Sequence, residues 1–287
     1  MKQYFSLVKF SHTIFALPFA LLGFFLAVNR TGAAFSLRLF ALVLLCMVFA
    51  RSAAMAFNRY LDRDIDKMNP RTAVREIPSG IISPRSALFF VVLSSAFFML
   101  SAWFINALCF MLSPVALLII LGYSYTKRFT WLCHFVLGLG LSLAPIGAYL
   151  AGGGSFDLVP LLYSGAVMFW VAGFDIIYAL QDEDFDRSHR LNSVPVAFGK
   201  KGGLRLSEWC HLLTVLFMLA AGFVLQNNYP QISAIHWVAV AVFLSLLFYQ
   251  HTIVKPDDLS KVNLAFFTTN GVASLVFGAL VIADFYF

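Results

Sequence analysis

Two clusters of polar and acidic residues in this 287-residue chain have a spacing that suits a divalent cation. Asn58, Asp62 and Asp66 lie four residues apart, and Asp182 and Asp186 repeat that interval. On a helix, residues at this spacing share one face, where like charges repel. A divalent cation removes the conflict, and magnesium in particular takes carboxylate and phosphate oxygens as ligands. The spacing therefore predicts a divalent-cation site, with calcium and manganese as open alternatives to magnesium.

Basic residues accompany the acidic clusters. Arg71 and Arg75 follow the first cluster, and Lys127 and Arg128 end a later apolar segment. Acids that bind metal, beside bases that do not simply neutralise them, suit a ligand that carries both metal and excess negative charge. Diphosphate is such a ligand. The alternative interpretation is that each base only reflects the excess of Lys and Arg on the cytoplasmic side of membrane proteins and binds no ligand.

Two charged residues are predicted to lie within the membrane. Asp175 precedes the second cluster by about two turns, and Arg51 lies two turns deeper than Asn58 on the same helix face. Charges at such depth are costly and indicate function. Arg51 needs an anion, which leaves two interpretations: an ion pair with Asp175, or the carboxylate of an aromatic substrate. The residues alone leave both open, and the family resemblance that the motifs carry favours the substrate.

The elements that carry these residues are apolar. The chain is 61% hydrophobic and only 12% charged, whereas soluble domains have about 25% charged residues. Apolar runs of about 20 residues span a bilayer as helices. The hydropathy predicts nine spans, at 12–29, 37–58, 86–106, 108–126, 133–151, 158–181, 207–226, 234–252 and 263–285. We expect the first span to be retained and not cleaved as a signal peptide.

The distribution of Lys and Arg predicts the orientation. With the N-terminus inside, 17 of the 20 fall in inner segments, two in outer segments (Arg30 and Arg38) and one within a span. This asymmetry predicts a multi-pass protein of the inner (cytoplasmic) membrane with its C-terminus outside. It also explains the net charge of +6, so no nucleic-acid partner is needed to account for that charge. The inner cations are Lys2, Lys9, Arg59, Arg63, Lys67, Arg71, Arg75, Arg85, Lys127, Arg128, Arg187, Arg190, Lys200, Lys201, Arg205, Lys255 and Lys261.

Two predicted inner loops, 59–85 and 182–206, are long and contain most of the acidic residues. Long loops in compact proteins tend to be functional or disordered, and their charge favours function. Both follow spans that end on the same side, so we expect the two acidic clusters to converge on one site.

The motifs together resemble those of the UbiA superfamily of membrane prenyltransferases. The first cluster fits its N-x-x-x-D-x-x-x-D pattern and is followed by NPRT at 69–72 and REIPSG at 75–80. Residues 175–186 fit D-x-x-Y-x-x-x-D-x-x-x-D. The stretches at 10–18 and 123–130 look like the branch that acts on 4-hydroxybenzoate and related aromatic acids, although Ser124 replaces a proline that many members have there.

The resemblance covers nearly the whole chain and implies a single domain over 1–287. The implied fold is all-α, with nine transmembrane helices around a central cavity and two cytoplasmic cap loops. It implies Mg²⁺ as cofactor, held by Asn58, Asp62, Asp66, Asp182 and Asp186. It implies diphosphate binding by Arg71, Arg75, Lys127 and Tyr178, and aromatic-substrate binding by Arg51 and Tyr123.

The implied reaction transfers a polyprenyl group from polyprenyl diphosphate to a ring carbon of an aromatic acid, with 4-hydroxybenzoate as the favoured acceptor, in respiratory quinone synthesis. Catalysis would depend on Asp62, Asp66, Asp182, Asp186 and Lys127. One alternative is prenylation of 1,4-dihydroxy-6-naphthoate on a menaquinone route, because both acids offer a carboxylate and a phenolic ring. From another class, a cation or proton-coupled transporter would also use charges within the membrane.

Overall fold

The computed structural model describes residues 2–8, 10–32, 34–153 and 155–287. Among the predicted inner cations, Lys9 and the side chain of Lys2 are not described by the structure. Its helices are α1 (Lys2–Leu7), a 3₁₀ helix (Phe10–Phe15), α2 (Leu17–Thr31), α3 (Leu37–Leu61), α4 (Arg63–Met68), α5 (Pro84–Ile105), α6 (Ala107–Thr126), α7 (Cys133–Ala151), α8 (Leu158–Ala179), a 3₁₀ turn (Leu180–Asp182), α9 (Glu183–Ser188), α10 (Val194–Asn228), α11 (Ile235–Ile253), a π-helical turn (Leu264–Thr269) and α12 (Asn270–Ala283). These residues form no β-strand.

Nine helices in the described part are long and apolar enough to cross a membrane, which confirms the prediction of an all-α, multi-pass protein. Many of their large side chains face outward. Phe89, Leu118 and Phe248 are each about 70% exposed. Such a surface would aggregate in water, but it matches the hydrocarbon of a bilayer.

A tight turn at Asn106 separates the third and fourth spans. Asn106 has an extended backbone, and its side-chain oxygen accepts a hydrogen bond from the N–H of Cys109 at 2.8 Å. Its side-chain amide donates to the carbonyl of Leu150 at 3.0 Å. One side chain thus caps α6 and ties the turn to α7. α5 and α6 therefore meet at the boundary that the sequence analysis placed between the spans 86–106 and 108–126.

The seventh span differs from the prediction. The sequence analysis placed it at 207–226 after a loop over 182–206. In the structure α9 and α10 occupy most of that loop, and α10 is kinked at Gly199, whose φ of 70° is left-handed. The charges at Lys200, Lys201 and Arg205 lower the hydropathy, but a helix at a membrane surface can extend such side chains toward water. Hydropathy therefore located the apolar part of the helix and missed its polar start.

The core of the helix bundle is aromatic and contains a close approach of two backbones. Trp170 is fully buried, with Phe19 and Phe243 packed around it. At Gly23 on α2, a Cβ atom would lie 2.1 Å from the carbonyl oxygen of Pro145 on α7. Glycine is required there because the two backbones touch.

Gly23→Val should destabilise the protein strongly, because the added side chain would force α2 away from α7. Overpacking typically costs about 1–3 kcal/mol, and contact with backbone cannot be relieved by a change of rotamer. Thermal unfolding of the detergent-purified protein would measure the loss. Gly122→Val is the matched control, since apart from its chain neighbours and its own helix backbone nothing lies within 4 Å of the Cβ position. Equal unfolding midpoints for the two variants would contradict the close approach.

Candidate active site

A polar cavity of about 650 Å³ lies at the predicted inner ends of the helices. It is lined by α3, α4, the turns that follow α4, the ends of α6 and α8, and α9. All eleven predicted site residues line this inner cavity: Arg51, Asn58, Asp62, Asp66, Arg71, Arg75, Tyr123, Lys127, Tyr178, Asp182 and Asp186. The two acidic clusters therefore face one space, as expected from the charge distribution.

The first cluster follows a nearly continuous helical path. α3 ends at Leu61, and Asp62 joins it to α4. The N–H of Asp66 donates to the carbonyl of Asp62 at 2.7 Å, and the N–H of Asp62 donates to the carbonyl of Asn58 at 2.9 Å. This i to i+4 bonding keeps the three side chains on the cavity side.

Asp62 holds the largest set of partners in the first cluster. Its side chain is 3% exposed and accepts a hydrogen bond from the side-chain amide of Asn58 at 3.2 Å. It also pairs with Lys127 Nζ at 3.0 Å and Arg128 Nη2 at 2.9 Å. Arg128 further donates to the carbonyl of Leu61 at 3.1 Å. The end of α6 is thereby fixed against the end of α3.

Asp66 has one satisfied and one unsatisfied oxygen. Arg75 Nη1 pairs with Asp66 Oδ1 at 2.6 Å, and Thr72 holds the returning chain by donating to the backbone carbonyl of Asp66 at 3.0 Å. Asp66 Oδ2 is buried and has no hydrogen-bond partner. A buried carboxylate oxygen without a donor is unfavourable, and a cation at this position would satisfy it.

Arg71 joins the turn after α4 to the second cluster. Its Nε donates to Asp182 Oδ1 at 3.1 Å, and its Nη2 donates to the other carboxylate oxygen. Its Nη1 donates to the hydroxyl of Tyr178 at 2.8 Å. Burial lowers the pKa of Arg71, but the hydrogen bond and charge of Asp182 outweigh burial and raise it above its ordinary value. The guanidinium is therefore always charged.

Charges in the inner cavity nearly balance. Six carboxylates and five basic side chains line it, which leaves a formal excess of one negative charge. These are Asp62, Asp66, Glu76, Asp175, Asp182 and Asp186, with Arg51, Arg59, Arg71, Arg75 and Lys127. Two divalent cations would reverse that sign and leave a positive surplus for a polyanion to neutralise.

The donor set fits magnesium, because the predicted ligands offer only oxygen atoms. Among residues 2–8, 10–32, 34–153 and 155–287, however, no three His, Cys, Asp or Glu side chains converge into a metal centre. Protein ligands alone therefore do not form a closed metal cage. This agrees with the usual habit of magnesium, which binds through one or two carboxylates and completes its shell with substrate phosphate and water.

Asp175 has a partner that the sequence analysis missed. Its carboxylate lies 2.7 Å from His134 Nδ1 at the start of α7. The backbone N–H of Val194 donates to His134 Nε2 at 3.2 Å. Nε2 therefore accepts, so the ring proton resides on Nδ1 and is donated to Asp175. No ion pair joins Asp175 to Arg51, although both are described. A single His offers no spacing signal, so sequence reasoning could not find it.

A second, apolar cavity of about 380 Å³ adjoins the first. Arg51, Met55 and Tyr123 line both cavities, as do Leu137 and Leu141. The apolar cavity continues between α3, α5, α6 and α7, and its lining includes side chains that are more than half exposed at the lipid-facing surface, namely Val115 and Phe156. The polar inner cavity thus meets the apolar cavity, which opens toward lipid.

The helical fold, with a polar cavity that meets an apolar one, is what a membrane prenyltransferase requires. The comparison with known families agrees. The profile of the UbiA prenyltransferase family matches residues 16–272. The chain therefore belongs to the UbiA prenyltransferase family. Membership favours an enzyme over the transporter that the intramembrane charges left open.

Curated relatives and solved structures cover most of the chain. The 4-hydroxybenzoate octaprenyltransferase of Aliivibrio fischeri (strain MJ11) is 32% identical over 82% of this chain and 79% of its own length. The apo structure of a UbiA homolog from Aeropyrum pernix K1 is 35% identical, with a TM-score of 0.83 over 95% of this chain and 98% of its own. A UbiA homolog from Archaeoglobus fulgidus bound to GPP and Mg²⁺ shares the fold, with a TM-score of 0.73 and 22% identity over 99% of this chain and 100% of its own.

Asp62→Asn should lower the unfolding temperature measured without added metal. The change leaves Lys127 and Arg128 without their shared carboxylate, and breaking a buried ion pair costs about 3–5 kcal/mol; the two bases are 30% exposed, so the loss should be smaller. Asp64→Asn is the control, because that side chain is 81% exposed and pairs only with Arg63 at 3.5 Å. An equal, negligible effect of both changes would show that Asp62 does not organise the cluster.

Proposed function

We propose that this protein transfers a polyprenyl group from polyprenyl diphosphate to a ring carbon of an aromatic acid, with 4-hydroxybenzoate as the acceptor. The observation that carries the proposal is the meeting of the two cavities at Arg51, Met55 and Tyr123. A charged head would lie in the inner cavity and an isoprenoid tail in the apolar one, with the scissile bond at their junction. The 4-hydroxybenzoate octaprenyltransferases among the relatives support the acceptor.

Five oxygen-bearing side chains of the inner cavity would hold Mg²⁺: Asn58, Asp62, Asp66, Asp182 and Asp186. When bound, the metal supplies Lewis-acid stabilisation of a departing diphosphate. The bases that now pair with these acids would turn to phosphoryl oxygens. Arg71 and Arg75 reach the cavity from the turns after α4, and Lys127 reaches it from the end of α6. Arg71 would keep its hydrogen bond to the Tyr178 hydroxyl.

Residues at the junction would orient the acceptor. Arg51 would bind its carboxylate through charge-assisted hydrogen bonds, and the Tyr123 ring would lie near the reacting carbons, where an aromatic face stabilises cationic charge. Apolar walls such as Met55 and Leu141 exclude water from this point.

Breaking the C–O bond of the donor gives diphosphate and an allylic cation, and the acceptor ring attacks that cation through the carbon ortho to its hydroxyl. The ring proton then has to leave. We assign Asp175 as its acceptor, since His134 holds this carboxylate in place and its side chain is 23% exposed. The C–H electrons return to the ring and the proton moves to the carboxylate.

Orientation and extent also belong to this proposal. The 17-to-2 distribution of Lys and Arg supports an inner-membrane protein with its N-terminus and inner cavity in the cytoplasm and its C-terminus outside. We further infer that residues 1–287 act as one transmembrane domain, because the profile match covers most of the chain.

Purified protein supplied with Mg²⁺, polyprenyl diphosphate and 4-hydroxybenzoate should form prenylated acid, detected by mass spectrometry. Asp182→Asn should abolish turnover, because it removes a predicted metal ligand and the partner of Arg71. The control Asp257→Asn changes an acid outside both cavities and should retain activity. Full activity of Asp182→Asn would contradict the metal assignment. Absence of product from the wild type with donors of several tail lengths would contradict the proposed reaction.

Arg51→Ala should raise the KM for the aromatic acid by about tenfold or more, because a hydrogen bond to a charged group contributes about 1.5–3 kcal/mol. The KM for the prenyl diphosphate should change far less. The same assay with 4-hydroxybenzoate and 1,4-dihydroxy-6-naphthoate in competition identifies the preferred acceptor. Equal increases in the two KM values would remove the proposed role of Arg51.

A further inference from the structure

Arg59 is a buried cation that the mechanism above does not use. It lies in the last turn of α3, one residue after Asn58, and is 5% exposed. It lines the inner cavity. No hydrogen bond or ion pair joins its guanidinium to any residue that the structure describes, and its Nε is fully buried without a partner.

Three other cations of the inner cavity, in contrast to Arg59, form ion pairs. Arg71 pairs with Asp182, Arg75 pairs with Asp66, and Lys127 pairs with Asp62. Each of these three bases is therefore held by a carboxylate that is itself a predicted metal ligand. They are available to an incoming anion only when something else neutralises their acids.

The neighbouring carboxylates Asp66 and Glu76 attract Arg59 at longer range, but neither forms an ion pair with it. Asp66 is paired with Arg75 at 2.6 Å, and Glu76 accepts a hydrogen bond from Ser6 of α1. A guanidinium removed from water without a directly paired anion is unfavourable, so the burial of Arg59 costs stability in the free protein. A ligand with negative charge would remove that cost.

We propose that Arg59 binds phosphoryl oxygens of the prenyl diphosphate and does so before any metal is bound. This rests on the proposed function, which supplies the diphosphate. The position of Arg59 favours the diphosphate over the acceptor carboxylate, because Arg59 lines only the polar inner cavity, whereas Arg51 lines both cavities. Arg59 thus provides the first contact, and Arg71, Arg75 and Lys127 follow when metal takes their acids.

Calorimetric titration with inorganic diphosphate in the presence of EDTA tests this order of binding. Wild-type protein should bind, and Arg59→Gln should bind about tenfold more weakly or worse, as expected for the loss of a charge-assisted hydrogen bond. Arg71→Gln should weaken the binding measured with Mg²⁺, and Arg59→Lys should keep part of the metal-free affinity. Arg63→Gln is the matched control, since Arg63 bonds the carbonyl of Tyr60 at 2.8 Å and lies outside the cavity.

Thermal unfolding without ligand separates this role from a structural one. Arg59→Gln should leave the unfolding temperature unchanged or raise it, because it removes a buried charge that has no ion-pair partner, while the upward shift caused by diphosphate should shrink. A lowered unfolding temperature with undiminished diphosphate affinity would overturn the proposal. So would a selective loss of 4-hydroxybenzoate binding, or wild-type protein that binds diphosphate only with Mg²⁺. In the last case prenyl transfer by the wild type would show that the proposed function still stands.

Discussion

Compensation of charge at the inner mouth of the helix bundle is the constraint on which the rest of this structure depends. Carboxylates and guanidinium groups in a medium of low polarity are costly unless they are paired. Those partners come from helix ends far apart in sequence: Asp62 at the end of α3 meets Lys127 at the end of α6, and Arg71 meets Asp182 beyond α8. The helices must therefore end at one level around one cavity. The lipid-facing surface only has to remain apolar.

Much of the fold and part of the site follow from simple regularities in the sequence. Nine apolar runs predict nine spans, and the four-residue interval of Asn58, Asp62 and Asp66 predicts one shared face. The turn at Asn106 was also predictable, because a polar residue that caps a helix stands between two apolar runs. These predictions succeed because bilayer thickness and helical period act on every residue of a segment.

Pairings within the cavity were beyond sequence reasoning. Arg59 was one of 17 inner cations, and topology alone explains such cations, so its burial gave no signal. His134 stands alone in an apolar helix, and its partner Asp175 comes from another helix. The polar start of α10 was missed for a related reason: Lys200 and Lys201 lower the hydropathy of a segment that is nevertheless helical. In each case the role of a residue depends on its neighbours in space, which the sequence alone does not show.

The opening of the apolar cavity toward the bilayer has a consequence for the selection of substrates. Hydrophobic binding draws its free energy from water released by apolar surface. A tail that passes from hydrocarbon into a channel beside Val115 and Phe156 leaves one oily surrounding for another, so its burial contributes little affinity. Added isoprene units beyond the opening would remain in lipid and cost nothing. Tail length is then set by the donors that the membrane contains, and recognition is concentrated in the few atoms of the head group.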